Sequence, residues 1–160
     1  MKRIHLIEGN PKHAQAIKSQ LEKQGFMVEL STHIDGAQKR IKEIAGDLLV
    51  IDLNVSSDRI FDFYYWLMHT PSITMIPRLF IAGDMKSDTV RKLAVEEKEE
   101  VLGKPLDTGQ FLSTIKGLLK FREQQPMRKD EDYLVSIIGR KLGSVSIEKE
   151  IARGGMGAVF

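Results

Sequence analysis

Three charged residues, Glu8, Asp52 and Lys104, each stand at the end of a short apolar run of the sequence. Group transfer to a carboxylate requires a hard cation held by oxygen ligands and a fixed positive charge near the developing oxyanion. Two carboxylates and one ammonium are the residue types that such chemistry uses, provided that the fold brings them together. Their meaning therefore depends on the elements that carry them, because a lone Asp at the end of a strand is weak evidence for a site.

The apolar pattern predicts five short strands that alternate with five helices. The strands are predicted at 4–7, 26–30, 48–51, 79–82 and 101–102, and the helices are predicted to begin at Asn10, near Ile34, at Ser57 or Asp58, at Ser87 and at Asp107. Strands that alternate with helices through short connections are typical of a doubly wound parallel α/β sheet. We therefore predict a flavodoxin-like (βα)5 domain with strand order 2-1-3-4-5 over residues 1–121, with its site at the carboxyl ends of the strands.

The order of these features resembles the receiver domain of two-component response regulators, over about residues 2–120. The motifs that carry the resemblance are Ile-Glu-Gly-Asn-Pro at 7–11, the apolar run that ends in Asp52, Ile-Ala-Gly at 81–83, and Lys104-Pro105. The resemblance implies that Asp52 is the candidate phosphoacceptor, that Lys104 neutralises the phosphoryl group, and that a sensor kinase is the donor. It also implies a Mg²⁺ site formed by Glu8, Asp52 and the backbone of Asn54.

The sequence departs from the receiver pattern at four places. Gly9 stands where the family has a second metal-binding acid, and Ala82 stands where the family has a phosphoryl-binding hydroxyl. Val101 replaces a frequent aromatic residue, and residues 54–58 replace the usual loop after the acceptor. Three interpretations stay open: a receiver phosphorylated at Asp52, a degenerate receiver that acts through protein contacts, and a different flavodoxin-like function. The sequence favours the degenerate receiver with weak Mg²⁺ binding, because each missing group weakens phosphoryl transfer.

A Gly-rich segment, Ala-Arg-Gly-Gly-Met-Gly-Ala-Val-Phe, stands at 152–160 after a charged and apolar stretch at 147–151. It resembles the opening hairpin of bacterial serine/threonine protein kinases of the eukaryotic type, in which a Gly-rich turn covers the ATP phosphates. Residues 122–138 are polar, charged and poor in apolar residues, which predicts a linker. The resemblance implies the truncated start of a kinase domain at 139–160, as a short C-terminal β-hairpin fragment. In a complete kinase domain, the implied ATP contacts are Ile151, Gly154, Gly155, Gly157 and Val159.

The kinase apparatus that the Gly-rich segment implies is incomplete within these 160 residues. The strand Lys and the catalytic loops of a kinase do not follow it. We therefore expect this chain itself not to be an enzyme, while a longer parent protein would be an ATP-dependent serine/threonine kinase.

The composition excludes several other classes of function. The 24 Lys and Arg residues nearly balance the 22 Asp and Glu residues, which indicates no general footprint for nucleic acid or an anionic membrane. The chain contains no Cys, so disulfides and zinc–thiolate sites are excluded. No apolar stretch approaches the ~20 residues of a spanning helix. We expect a cytoplasmic signalling module that binds a sensor kinase or its own kinase domain, for which a homodimer is one candidate assembly.

Three further patterns carry expectations about the surface. Five aromatic residues fall within residues 61–66, and a helical period of 3.6 cannot point them all inward. One buried face is therefore predicted, with the remaining rings forming covered surface or a contact face. The charged run at 96–100 is predicted to be a solvated helix end and loop. The four His residues have no metal-like spacing and are predicted to be structural or exposed.

Overall fold

The computed structural model describes residues 1–56, 58–93 and 98–124. These residues form a five-stranded sheet of order β2-β1-β3-β4-β5 in which all neighbouring strands are parallel. The strands are β1 (Arg3–Ile7), β2 (Met27–Ser31), β3 (Leu48–Asp52), β4 (Arg78–Ala82) and β5 (Glu99–Gly103). The helices are α1 (Pro11–Lys23), α2 (Ile34–Glu43), α3 (Ile60–His69), α4 (Asp88–Lys92) and α5 (Thr108–Gln124), with a single 3₁₀ turn at Leu53–Val55. The predicted fold class and strand order are confirmed.

Two apolar layers cover the two faces of the sheet. On one face, Leu49 and Ile51 of β3 pack with α2 and α3, and on the other face Leu48 and Val50 pack with α1 and α5. Because the strand is covered on both faces, its sequence is a continuous apolar run and not an alternating one. Each of these fully buried side chains contributes roughly 1.5–3 kcal/mol. The tight packing fixes the end of the strand, where Asp52 stands.

Local signals set the start and the end of α1. The Asn10 side chain accepts hydrogen bonds from the backbone N–H groups of Lys12 and His13, and Pro11 occupies the first turn. After the helix, Gly25 adopts a φ of 92°, a left-handed conformation that favours glycine. The predicted start of the helix at Asn10 is therefore confirmed, and it places the beginning of α1 shortly after Glu8.

The predicted starts of α2 near Ile34 and of α4 at Ser87 are confirmed, whereas the predicted start of α3 is not. Helix α2 ends at Glu43, before Gly46, and α4 spans only five residues, with 94–97 outside the described residues. Helix α3 begins after Arg59 without a side-chain cap, because Asp58 instead accepts a hydrogen bond from Ser56 Oγ at 2.9 Å. Ser57, the other predicted cap, lies outside the described residues. The start of α3 depends on a local contact that the apolar period does not encode.

The last described helix reaches into the predicted linker. Helix α5 runs through Gln124 and thus includes the first residues of 122–138. The remainder of the linker and the predicted kinase start at 139–160 lie outside the described residues, and so do the predicted ATP contacts Ile151, Gly154, Gly155, Gly157 and Val159. The domain boundaries beyond Gln124 therefore stay predictions. None of the described helices combines the length and the apolar character needed to cross a bilayer.

The aromatic segment of α3 has one buried face, as predicted. Phe63 is buried in the core, whereas Phe61 and Tyr65 are 40% and 65% exposed. Tyr64 packs edge-on against Phe80 of β4. The segment therefore supplies both core and surface, because successive side chains of a helix point in different directions.

An ion pair with no solvent-exposed side-chain surface joins β4 to β5. Arg78 Nε donates to Glu99 Oε2 at 2.7 Å, and Tyr64 Oη donates to Glu99 Oε1 at 2.8 Å. Arg78 Nη1 also donates to the carbonyl oxygens of Thr74 and Ile76, at 3.3 and 3.0 Å. The prediction that the run at 96–100 is solvated is wrong for Glu99, which is 4% exposed, and also for the residue before it. Glu99 can be buried because Arg78 on β4 pairs with its carboxylate and offsets the cost of removing that charge from water.

Candidate functional site

The three charged residues singled out in the sequence meet at one edge of the sheet. Glu8 follows β1, Asp52 is the last residue of β3, and Lys104 follows β5. Strand β4 lies between β3 and β5, so Lys104 must reach across its end. The backbone N–H of Lys104 donates to the carbonyl oxygen of Ala82 at 2.9 Å, which anchors the Lys at the end of β4. The peptide bond from Lys104 to Pro105 is cis.

Asp52 is held by one backbone group and one ammonium. Its side chain is 1% exposed, and its Oδ1 accepts a hydrogen bond from the backbone N–H of Asn54 at 2.8 Å. Its Oδ2 lies 2.6 Å from Nζ of Lys104. A buried carboxylate is costly unless it is paired, and Lys104 supplies the compensating charge. The predicted phosphoacceptor and the predicted neutralising Lys are therefore brought together as a direct ion pair.

Glu8 stands beside this pair in a setting that favours its neutral form. Its side chain is 3% exposed, and its Oε2 accepts a hydrogen bond from the backbone N–H of Asn10 at 2.9 Å. Burial, followed by hydrogen bonding to Asp52, raises the pKa of Glu8 to about 7. Oε1 of Glu8 is buried without a hydrogen-bond donor, and Oδ2 of Asp52 has only the ammonium of Lys104 beside it. A proton on Glu8 supplies a donor between the two acids, so the site holds a carboxyl–carboxylate pair near neutral pH.

The donor groups of this site suit a hard cation only in part. Mg²⁺ is commonly bound through one or two carboxylates and several waters, and Glu8 and Asp52 provide such carboxylates. Lys104 already neutralises Asp52, however, and burial favours protonated Glu8. Among the residues that the structure describes, no cluster of three or more His, Asp or Glu side chains could hold a metal ion. The weak Mg²⁺ site of Glu8, Asp52 and the Asn54 backbone stays a prediction.

Two of the four places that depart from the receiver pattern, Gly9 and Ala82, border the site. A Cβ atom on Gly9 would lie 3.6 Å from the carbonyl oxygen of Thr32 and 3.7 Å from Cα of Val55, which are ordinary contacts. Ala82 is 2% exposed at the end of β4 and carries no hydroxyl. Next to it, Nδ2 of Asn54 lies 3.7 Å from where a Cβ on Gly83 would stand. The backbone at position 9 therefore leaves room for a side chain, and the acid is missing only because the residue is glycine.

Two clefts flank the charged cluster. The first, which we call the apolar cleft, has a volume of about 450 Å³ and is lined by Glu8, His13, Ala16, Ile17, Asp52, Ile81, Lys104, Pro105 and Leu106. The second, which we call the polar cleft, has a volume of about 500 Å³ and is lined by Glu8, Gly9, Asn10, Pro11, His13, Thr32, Asn54, Val55 and Lys104. His13 lines both clefts, which its isolated position in the sequence does not reveal. The signal that could have identified it is its place in the first turn of α1, five residues after Glu8.

Comparison with known protein sequences gives a distant similarity. No protein-family model matches the chain. The chain is 24% identical over 143 residues to a protein of Bacillus subtilis (strain 168) described as the uncharacterized transcriptional regulatory protein YvcP, and the match covers 87% of this chain and 58% of that protein. The chain therefore spans little more than half the length of the curated relative that it matches.

Several solved structures share the fold. A signal receiver domain of a histidine kinase from Syntrophus aciditrophicus has a TM-score of 0.69 and 22% identity, covering 81% of this chain and 98% of that one. A response regulator receiver domain protein from Clostridium thermocellum has a TM-score of 0.68 and 18% identity, covering 79% and 100%. A two-component response regulator from Clostridium difficile has a TM-score of 0.65 and 20% identity, covering 75% and 97%. The described domain has the fold of receiver domains.

Proposed function

We propose that the domain at 1–121 is a regulatory module of two-component signalling, a degenerate receiver that acts through protein contacts. The single observation that carries this proposal is the meeting of Glu8, Asp52 and Lys104 at the carboxyl ends of β1, β3 and β5. This is the arrangement that the receiver resemblance implies, and the similarity to solved receiver domains supports it. The partner is a sensor kinase or a kinase domain of the same protein, in the cytoplasm, and the domain itself carries no enzymatic activity.

Asp52 lacks several of the groups that assist phosphoryl transfer, although Lys104 lies 2.6 Å from it. A cation must compete with the proton that Glu8 prefers. Ala82 offers no hydroxyl to the transferred group, and Gly9 offers no further carboxylate. Each missing interaction would have stabilised charge in the transition state, so Asp52 is a poor acceptor.

Labelling with small phosphodonors tests this proposal. The protein is incubated with acetyl phosphate and Mg²⁺, or with beryllofluoride and Mg²⁺, and is followed by intact mass and by NMR. Little or no modification is expected. Stoichiometric modification that disappears in Asp52→Asn would contradict the degenerate receiver and establish the alternative, a receiver switched by phosphorylation of Asp52.

The output region of the parent protein has two candidates. The Gly-rich segment at 152–160 supports a serine/threonine kinase that binds ATP. The relative from Bacillus subtilis is named a transcriptional regulatory protein, and its 143 matched residues exceed the 124 through which the structure describes this chain. This match favours a DNA-binding output as the second candidate, against the expectation that nucleic acid is not a partner.

The two outputs are distinguished with the full-length gene product. A kinase would transfer the γ-phosphate of ATP to itself or to a generic protein substrate, and replacing Gly154 and Gly157 by Val would abolish that transfer. A DNA-binding output would retard DNA from upstream of its own gene, without any phosphate transfer. Phosphate transfer without DNA binding supports the kinase, and DNA binding without transfer overturns it.

A further inference from the structure

The apolar cleft beside Asp52 has the size and lining of a small-molecule site. It opens between α1 and the β5–α5 connection, and its volume of about 450 Å³ lies within the ~300–1,000 Å³ range of ligand pockets. Its wall is formed mainly by the apolar side chains of Ala16, Ile17, Ile81, Pro105 and Leu106. Phosphoryl chemistry at Asp52 makes no use of this wall. An apolar surface at the edge of a charged cluster is the arrangement that suits a ligand with an apolar body and a polar head.

Among the three charged residues that line this cleft, Lys104 has the most accessible side chain. Glu8 and Asp52 are 3% and 1% exposed, so their carboxyl groups are shielded from solvent. The side chain of Lys104, in contrast, is 28% exposed. An ammonium has three N–H donors, and only one of them is needed for the contact with Asp52. His13 adds an exposed imidazole to the lining.

We propose that the apolar cleft binds a small amphipathic anion, with an aromatic or short aliphatic body against the apolar wall and a carboxylate head that accepts a hydrogen bond from Lys104. A cationic head would meet the ammonium of Lys104, while the acids that could attract it are buried. An uncharged head would leave the attraction to Lys104 unused. The accessible ammonium of Lys104 therefore favours the anion over both alternatives.

Binding in this cleft would give the degenerate receiver a chemical input. The ligand would contact α1 and the β5–α5 connection directly, and its head would share Lys104 with Asp52. The inference does not depend on whether Asp52 accepts a phosphoryl group, since ligand binding and labelling are separate measurements. If Asp52 is labelled after all, ligand binding in the cleft is unaffected. If the ligand does not bind, the degenerate receiver is likewise unaffected.

The test is an NMR titration of the 160-residue chain with three matched probes: 1-naphthoate, 1-naphthylmethylamine and 1-naphthylmethanol. Saturable shifts are expected with 1-naphthoate at the backbone amides of His13, Ala16 and Leu106, with a dissociation constant of ~1 mM or tighter for a ligand of this size. The amine and the alcohol are expected to bind about tenfold more weakly or not at all. The absence of saturable shifts with 1-naphthoate, or equal binding of the amine, would overturn the proposal.

Matched variants on α1 locate the site. Ala16 lines the cleft at an exposed position, so Ala16→Trp fills the cleft without disturbing the core. Gln15 is exposed on the same helix but does not line the cleft, so Gln15→Trp is the control. Ala16→Trp is expected to weaken 1-naphthoate binding by about tenfold, and Gln15→Trp by less than about twofold. Equal effects of the two variants would place binding elsewhere.

The double variant Lys104→Met with Asp52→Asn tests the head group while avoiding an unpaired buried acid. It is expected to bind 1-naphthoate no better than 1-naphthylmethanol, because the ammonium is gone. A retained preference for the carboxylate in this folded variant would show that Lys104 does not select the anion, and would overturn that part of the assignment.

Discussion

At the scale of single residues, the site contains two acids, Glu8 and Asp52, and one ammonium, that of Lys104. Glu8 and Asp52 are both buried, and Lys104 compensates only one negative charge. The raised pKa of Glu8, about 7, is the consequence. The protonation of Glu8 is therefore the property of the site that depends most on pH near neutrality.

Replacing Glu8 by Gln is expected to change how stability depends on pH. The pKa of Glu8 is raised from 4.5 to about 7 on folding, so its stabilising contribution is fully present below pH 4.5 and is lost as the pH rises through about 7. The whole shift corresponds to at most ~3 kcal/mol. Glu8→Gln keeps the shape and carries a permanent N–H donor toward Asp52, so it is expected to be more stable than wild type near pH 8.

Urea unfolding in metal-free buffer at about pH 5 and about pH 8 measures this effect. Glu22→Gln, an exposed change on the same helix, is the control and is expected to follow wild type at both pH values. Parallel loss of stability in Glu8→Gln and wild type would show that Glu8 does not hold the shared proton.

Replacing Gly9 by Asp is expected to strengthen Mg²⁺ binding. A Cβ at this position meets only ordinary contacts, so the new carboxylate can be accommodated. Adding a charged oxygen ligand is expected to raise Mg²⁺ affinity by about an order of magnitude. Calorimetric titration at a pH above the pKa of Glu8 measures it, with Gly9→Asn as the uncharged control. Without a gain over Gly9→Asn, Glu8 and Asp52 are not arranged as a metal site.

At the scale of elements, the contact between β4 and β5 depends on a buried polar network. Arg78 and Glu99 have no exposed side-chain surface, and Tyr64 extends the network to α3. A pair of this kind is weak evidence for stability as a whole, because desolvation of both charges offsets their attraction. Its effect is nevertheless large when one partner alone is removed, because the remaining charge stays buried.

Single replacements in the buried pair are expected to lower the free energy of unfolding much more than replacement of both residues together. Arg78→Met or Glu99→Leu alone is expected to cost roughly 3–5 kcal/mol, while the double variant is expected to be close to neutral or more stable than either single one. Urea unfolding gives the three values. Arg91→Ala removes an ion pair whose side chains are 72% and 85% exposed, and serves as the control with a small effect. Additive losses in the double variant would contradict this interpretation.

At the scale of the whole molecule, the described domain contains everything that a receiver-like sheet requires. All five strands and both apolar layers lie between Arg3 and Gln124. Residues Met1–Gln125 form one compact unit. The Gly-rich segment at 152–160, on which the proposed kinase output depends, lies outside this unit.

Truncation after Gln124 is therefore expected to leave an independently folded domain. The shortened chain is expected to unfold in one cooperative transition, with a midpoint within about 4 °C of the 160-residue chain. Circular dichroism measures the transition, and overlaid NMR spectra compare the two folds. A broad transition or loss of the spectrum would show that the domain needs residues beyond Gln124.

Local features of the sequence determined much of the architecture. Apolar runs identify the strands, Asn10 and Gly25 mark the ends of α1, and the strand–helix alternation leads to the observed strand order. Since parallel strands end at one edge of the sheet, the residues that follow the runs also identified the candidate site. These properties are readable because each depends on neighbours within a few positions of the chain.

Only the tertiary structure decided how those residues interact. The distance between Lys104 and Asp52, the raised pKa of Glu8 and the apolar cleft depend on elements that meet across the sheet. The burial of Glu99 likewise depends on Arg78, which is 21 positions away. A charged residue is predicted to be solvated from the sequence, because the local pattern does not show whether a residue of opposite charge lies next to it in the fold. Burial and pairing are properties of packed neighbours, and only the folded chain defines those neighbours.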